Sequence, residues 1–277
     1  MVRGMAASTV ILSSMPKETM NTVSLVQGAS KGIGLQFCKS LLCRSKTSVV
    51  IATCRSPERA EILLDLQKEN TERFHVQKLD VTKTVDIENV SKFVTEHFGR
   101  LDLLINSAGM LHPSGRGETS LKDVTEEGLT QTLLTNTVGS LMMAKYFISL
   151  LQKGNGGFGT QNVKSSHTGI LVNMSAKVGS ITDNSLGGWY SYRLSKAALN
   201  MATKNLSIEL GRGKKKVVCV SLHPGTVDTD LSRPYHKNVP KLFSTEESVK
   251  MMLDVIDSLS AEDTGKFLTY SRTQLPF

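Results

Sequence analysis

A single α/β domain, built on a doubly wound, mostly parallel sheet of seven strands with helices on both faces, is the fold class this sequence predicts. Three observations predict it. Short apolar, β-branched runs recur with amphipathic helical stretches between them, the pattern of alternating strands and helices. The runs are apolar almost throughout, so both faces of each strand are expected to be covered. A glycine-rich turn, Gly28-Ala-Ser-Lys-Gly-Ile-Gly34, separates the first run from the first helix.

Taken in chain order, strands are expected at 23–27, 48–53, 74–79, 101–105, 169–174, 216–222 and 266–270. Helices are expected near 33–44, 57–68, 84–98, 128–151, 190–210 and 246–259, each filling a gap between two strands, with right-handed crossovers. Two connections exceed the usual two to six residues of such units. One, 110–125, holds His112, Pro113, Gly115 and Gly117 and is expected to border the active site; the other, 154–168, is rich in glycine, asparagine and serine and reads as a surface excursion. No composition break marks a second domain, so 22–277 reads as one unit. Residues 1–21 differ: Arg3 and Lys17 are the only charges before Glu18, and serines and threonine alternate with alanine and methionine. They read as a disordered extension, with an arginine-poor mitochondrial presequence as the alternative.

Composition excludes several function classes. Of 277 residues, 39% are hydrophobic and 21% charged, as in ordinary globular proteins, and no apolar stretch approaches the ~20 residues needed to cross a bilayer. A membrane role is therefore not expected. The formal charge of +8 is spread along the chain, with Lys214, Lys215 and Lys216 as the tight cluster. A solvated helix end favoured by the helix dipole explains that cluster better than a nucleic-acid patch. Cys38, Cys43, Cys54 and Cys219 form no Cys-x-x-Cys pair and read as buried thiols of a reducing compartment, hence a cytoplasmic location. The six histidines lack metal-ligand spacing, so no metal is expected.

The glycine turn carries the first chemical signal. Gly28 permits a tight turn, Gly32 lets backbone approach a pyrophosphate, and Gly34 allows close helix packing, while Ser30, Lys31 and Ile33 complete the loop that leads into the helix N-terminus. At the end of the second strand stand Thr53, Cys54 and Arg55, with no carboxylate to bind a ribose diol. Arg55 and Lys31 instead suit a 2′-phosphate, so NADP(H) is expected rather than NAD. Asp80 is placed to accept from an adenine amino group or to cap a helix with Thr82. Tyr192 and Lys196 are four apart on a helix, so a phenol and an ammonium share one face. Lys196 would lower the pKa of Tyr192.

Six segments in order, Gly28 to Gly34, Asp80 with Val81, Asn106-Ser-Ala-Gly109, Asn136, Tyr192 to Lys196, and Pro224-Gly-Thr-Val-Asp-Thr229, make the chain resemble the short-chain dehydrogenase/reductase family from about residue 22 onward. That resemblance implies a Rossmann-type domain. It implies that Asn106, Ala108 and Gly109 stabilise the sheet and line the adenosine pocket, and that the Pro224-Gly225 segment, through Val227 and Thr229, holds the nicotinamide carboxamide. More narrowly, Ser175-Ala-Lys-Val-Gly-Ser180 and Gly187-Gly-Trp-Tyr-Ser-Tyr192 resemble the branch of C-factor-like proteins and sniffer-type carbonyl reductases.

The family's catalytic group implies Tyr192 as proton donor to a carbonyl, Lys196 on the nicotinamide ribose, and Asn136 holding a water that links Lys196 to solvent. The serine departs from pattern. Many relatives carry Ser-Ser after the fifth strand, the second hydroxyl polarising the carbonyl; here the positions read Ser175-Ala176. Ser175 is the first candidate for that task and Ser180 the second. Trp189, the His112 loop and a lid over 231–243 are expected to set specificity for a small carbonyl or alcohol substrate, in a homodimer or homotetramer of the kind common among relatives. A rival expectation is a nucleotide-binding signalling or interaction protein with weak or incidental catalysis.

Overall fold

The computed structural model describes residues 21–161 and 166–277. In order it runs β1 (Val23–Gln27), α1 (Gly32–Arg44), β2 (Val49–Cys54), α2 (Glu61–Glu69), β3 (Phe74–Lys78), α3 (Thr84–His97), β4 (Leu103–Asn106), α4 (Glu126–Leu133), α5 (Gly139–Leu151), β5 (Gly169–Met174), α6 (Tyr190–Leu210), β6 (Val217–His223), α7 (Thr245–Ser258) and β7 (Phe267–Thr269). The seven strands form one sheet in the order β3-β2-β1-β4-β5-β6-β7, every pairing parallel. The expected extension at 1–21 falls, except for Asn21, outside the described residues.

Continuous apolarity in the strands has its structural counterpart in two cores. In β5, Ile170, Val172 and Met174 face a cluster completed by α1, α2 and α7, whereas Leu171 faces a second cluster completed by α3, α5 and α6. Strand order reverses between β1 and β4, and there the crevice at the strands' C-terminal ends opens. The glycine turn after β1 and the Asn106–Gly109 segment at the end of β4 both arrive at it.

Across β4, β5 and β6 a row of polar side chains runs through the second layer. Asn106, Asn173 and Ser221 are register neighbours. Asn106 Nδ2 donates to Asn173 Oδ1 (2.8 Å), Asn173 Nδ2 donates to Thr203 Oγ1 of α6 (2.9 Å), and Ser221 Oγ donates to the same Thr203 oxygen (3.0 Å). All four are buried. Leaving one such group unpaired costs about 1–3 kcal/mol, so the row fixes how α6 sits on the sheet.

Several expectations need correction. The helix expected over 128–151 is two helices joined by a π-helical turn, Leu134–Val138, an irregularity often found at functional sites. The connection 154–168 is not a surface excursion: among its described residues Phe158 is 2% exposed and lies in the core with the Arg44 guanidinium 5.0 Å from its ring centroid, and the Asn155 N–H donates to the buried Asp102 carboxylate (2.6 Å). Burying such an aromatic is worth roughly 2–3 kcal/mol, which favours the loop's inward course. Lys214, Lys215 and Lys216 lie beyond the end of α6, whose last turn holds no basic residue, so the dipole does not account for them. Cys43 is exposed, whereas the other three thiols are buried as expected.

Candidate active site

Helix α6 presents Tyr192 and Lys196 at the crevice, 8% and 4% exposed. The Lys196 ammonium donates to the Met174 carbonyl at the end of β5 (2.8 Å) and lies 5.6 Å from the centroid of the Tyr192 ring. Burial pushes the phenol pKa above its ordinary value, contrary to the expectation that Lys196 lowers it; the same burial brings Lys196 down to about 8. Burial is the cause of the shift at both groups.

Asn136 stands in the π-helical turn, fully buried. Its Oδ1 accepts the Met110 N–H (2.8 Å), and its Nδ2 donates to the Met110 carbonyl (2.8 Å) and to Ser195 Oγ (2.9 Å). One side chain thus ties the start of the 110–125 loop to α6. A Cβ on Gly109 would stand 3.5 Å from Asn136 Oδ1 and 3.7 Å from Lys196 Nζ, so the Asn106–Gly109 segment, Asn136 and Lys196 share one small space. Asn106 itself faces the sheet, with a further bond to the Ser140 carbonyl (3.3 Å).

The glycine turn packs as a cradle. Gly28 has a positive φ of 83°, and a Cβ there would meet the Ala108 backbone at 2.5 Å; one on Gly34 would meet the Gly28 carbonyl at 2.2 Å. Gly32 faces Thr229, whose Cγ2 would lie 3.3 Å from an added Cβ. Ile33 packs on the core, and the first turn of α1 has no side-chain cap, so its amides are open to an anion. Ser30, Lys31 and Arg55 line one cavity of about 260 Å³ together with Ser56, Arg59 and Ala60. Arg59 escaped sequence reasoning, although its position four residues after Arg55, just past Pro57, was a legible signal. Asp80 makes a turn rather than capping α3, with Oδ1 accepting from the Thr82 N–H (3.0 Å) and hydroxyl (2.7 Å). Burial works to raise its carboxyl pKa, but the Thr82 bonds and the charges of Arg55 and Lys83 hold it below the ordinary carboxylate range. Val81 is buried against Gly139.

Pro224 and Gly225 continue from β6, and Gly225 adopts φ +80° beside Phe243 and Tyr270. Val227 pairs with Phe243, and its carbonyl accepts from Ser232 Oγ (2.5 Å). From there the chain enters the expected lid, fastened to the glycine turn just before it and to the 110–125 loop within it. Asp230 meets Lys31 of the glycine turn (2.6 Å), and Tyr235 Oη accepts the Gly117 N–H (3.0 Å). Trp189 is half-buried between the Tyr235 ring (4.6 Å) and the Tyr192 ring (6.2 Å), so it borders the site and is not core. His112 turns away toward Gly128 at the start of α4.

Ser175 is present but committed. Its Oγ donates to Asn200 Oδ1 of α6 (2.7 Å), and the residue is buried, so the first candidate for polarising a carbonyl has its proton engaged elsewhere. Ser180 is as deeply buried, and its Oγ accepts the Asp183 N–H (3.1 Å). Among the described residues no group of histidine, cysteine and carboxylate side chains could hold a metal ion, and no helix is long and apolar enough to cross a membrane.

Residues 22–240 match the family model described as short chain dehydrogenase. Carbonyl reductase Sniffer of Drosophila melanogaster is 31% identical with a TM-score of 0.81, covering 93% of this chain and all of that one. The NADPH-bound carbonyl reductase from chicken fatty liver is 30% identical with a TM-score of 0.79, over 93% of this chain and all of its own. C-signal of Myxococcus xanthus is 34% identical over 65% of this chain and 94% of its own length.

The buried ammonium has a consequence for stability. Unfolded, Lys196 titrates near its ordinary 10.5; folded, it titrates near 8. Between those values the unfolded chain binds more protons, so stability rises with pH, and below about 8 the full burial penalty is present. Lys196→Met is therefore expected to be more stable than the wild type at pH 7, by a margin that shrinks by about 1–2 kcal/mol toward pH 9.5. Urea unfolding at the two pH values measures it; a constant margin contradicts the shifted ammonium.

Proposed function

The chain belongs to the short chain dehydrogenase family, and on that premise we propose that it is an NADP-dependent carbonyl reductase, acting on a small carbonyl compound or its alcohol. The observation that carries this reading is the convergence of Tyr192, Lys196, Asn136 and Gly109 at the ends of β4 and β5, beside a nucleotide cradle rimmed by cations. The uncapped N-terminus of α1 and the close glycine packing fit a pyrophosphate. Lys31, Arg55 and Arg59, with no carboxylate among the residues lining their cavity, fit a 2′-phosphate.

Bound NADPH would supply the hydride. Tyr192 gives the proton to the carbonyl oxygen, and the burial that holds its proton at neutral pH keeps it loaded for reduction. Lys196 orients the nicotinamide ribose, and Asn136 keeps the Met110 backbone and Ser195 in register around it. Val227 and Thr229 serve the carboxamide. Trp189 and Tyr235 wall the substrate from water beneath the lid. With the Ser175 proton given to Asn200, Ser180 is the remaining serine candidate for polarising the carbonyl. Leu194, Met201 and Ile208, exposed and seven residues apart on α6, support a homo-oligomer, and four free thiols support a reducing compartment such as the cytoplasm. A second reading, nucleotide binding in signalling or interaction with incidental catalysis, is favoured by Ala176 and by the engaged Ser175 proton.

Tyr192→Phe is expected to keep NADPH affinity while kcat falls by ~10³-fold or more, as for loss of a general acid. A panel of aldehydes, ketones and quinones read by NADPH oxidation tests it; undiminished turnover sinks the enzyme reading, and tight NADPH binding with no turnover by the wild type favours the second. Arg55→Asp is expected to weaken NADPH by about 10-fold or more and NADH far less, since it removes a charge-assisted phosphate bond. Titration of both cofactors decides, and equal losses count against the assignment. Ala176→Ser restores the hydroxyl seen in many relatives and is expected to raise kcat by about 10-fold or more. Steady-state kinetics on the best carbonyl substrate measures this, and an unchanged kcat shows that polarisation comes from elsewhere.

A further inference from the structure

We propose that Glu118 is a positioning residue: from the 110–125 loop it clamps the start of α6, and so holds Trp189 and Tyr192 in place. The inference rests on the reading of Tyr192 as proton donor.

Helix α6 starts without a cap of its own. Its N-cap residue is Trp189, whose indole caps nothing and whose backbone is left-handed, with φ 49° and ψ 44°. A helix start normally has a Ser, Thr, Asp or Asn whose oxygen takes up an orphan amide. Glu118 supplies that oxygen from a distant point in the chain. Its Oε1 accepts the Ser191 N–H (3.1 Å) and the Ser191 hydroxyl, and its main-chain carbonyl accepts the Trp189 N–H (2.6 Å). All three bonds come from one residue, and the carboxylate also faces the positive end of the helix.

The cost of the arrangement argues that it serves the site. Glu118 is 4% exposed, and its other oxygen, Oε2, is buried without a hydrogen-bond partner among the described residues. A loop glutamate left in water would avoid that desolvation. The surroundings allow little slack. A Cβ on Gly117 would stand 2.6 Å from the Trp189 ring, one on Gly188 would stand 3.3 Å from the Glu118 carbonyl, and the Gly117 N–H is held by Tyr235 of the lid. Loop, helix start and lid therefore meet at residues 117–118, and Tyr192 follows Ser191 directly. A shift of the helix start moves the phenol with it, and misplacement of ~1 Å can cost ~10²-fold in rate.

Trp189 is the chain's one tryptophan, so tryptophan emission reports on this corner of the molecule. In Glu118→Ala we expect emission shifted to longer wavelength, greater acrylamide quenching, and kcat lower by about 10–100-fold, with NADPH affinity within about twofold of wild type. Glu118→Gln keeps an acceptor oxygen and should restore both readouts most of the way. Ser191→Ala, which disturbs less, should move both in the same direction and by less, and it decides the matter if Glu118→Ala does not fold. Wild-type emission and quenching in Glu118→Ala or Ser191→Ala overturn the clamp, as does a Gln variant as impaired as the Ala variant. A wild type that reduces no carbonyl compound defeats the proton-donor reading, and the clamp is then judged on Trp189 emission.

Discussion

Buried hydrogen bonds between the sheet and α6 are the constraint on which the site depends. Asn173 reaches Thr203, Ser175 reaches Asn200, and Lys196 returns a bond to Met174, so three successive turns of the helix are pinned to β5 and the residue after it. In a low-dielectric layer such bonds are strong and their loss is costly, which makes the position of the helix close to unique. Tyr192 takes its place from them. The same constraint engages the Ser175 hydroxyl with Asn200, and Ala176 beside it has no hydroxyl to offer.

Burial sets the electrostatics of the pair. A phenol and an ammonium enclosed together both lean to their neutral forms, which holds the Tyr192 proton in place and makes the lysine a liability to the fold.

The crevice is joined from several sides by a few shared residues. Met110 is gripped by Asn136, Gly117 by Tyr235, and Lys31 both lines a cavity with Arg55 and meets Asp230 at the start of the lid. Each bond links elements distant in the chain. Together with Glu118 they make the long 110–125 loop part of the machinery rather than a surface connection.

Much of this was legible in the residues alone. Apolar periodicity and the glycine spacing suffice for the layered fold, the position of the crevice, and Tyr192 with Lys196 on one helix face, because these follow from local geometry that repeats along the chain. Arg55 and the missing carboxylate at the end of β2 likewise stand in the sequence. Only the tertiary structure decided that Phe158 sits in the core, that Ser175 points at Asn200, that burial raises the Tyr192 phenol, and that Glu118 caps a helix about seventy residues further on. Those outcomes rest on desolvation and on hydrogen bonds between distant segments, and neither leaves a periodic or spacing signal in the chain.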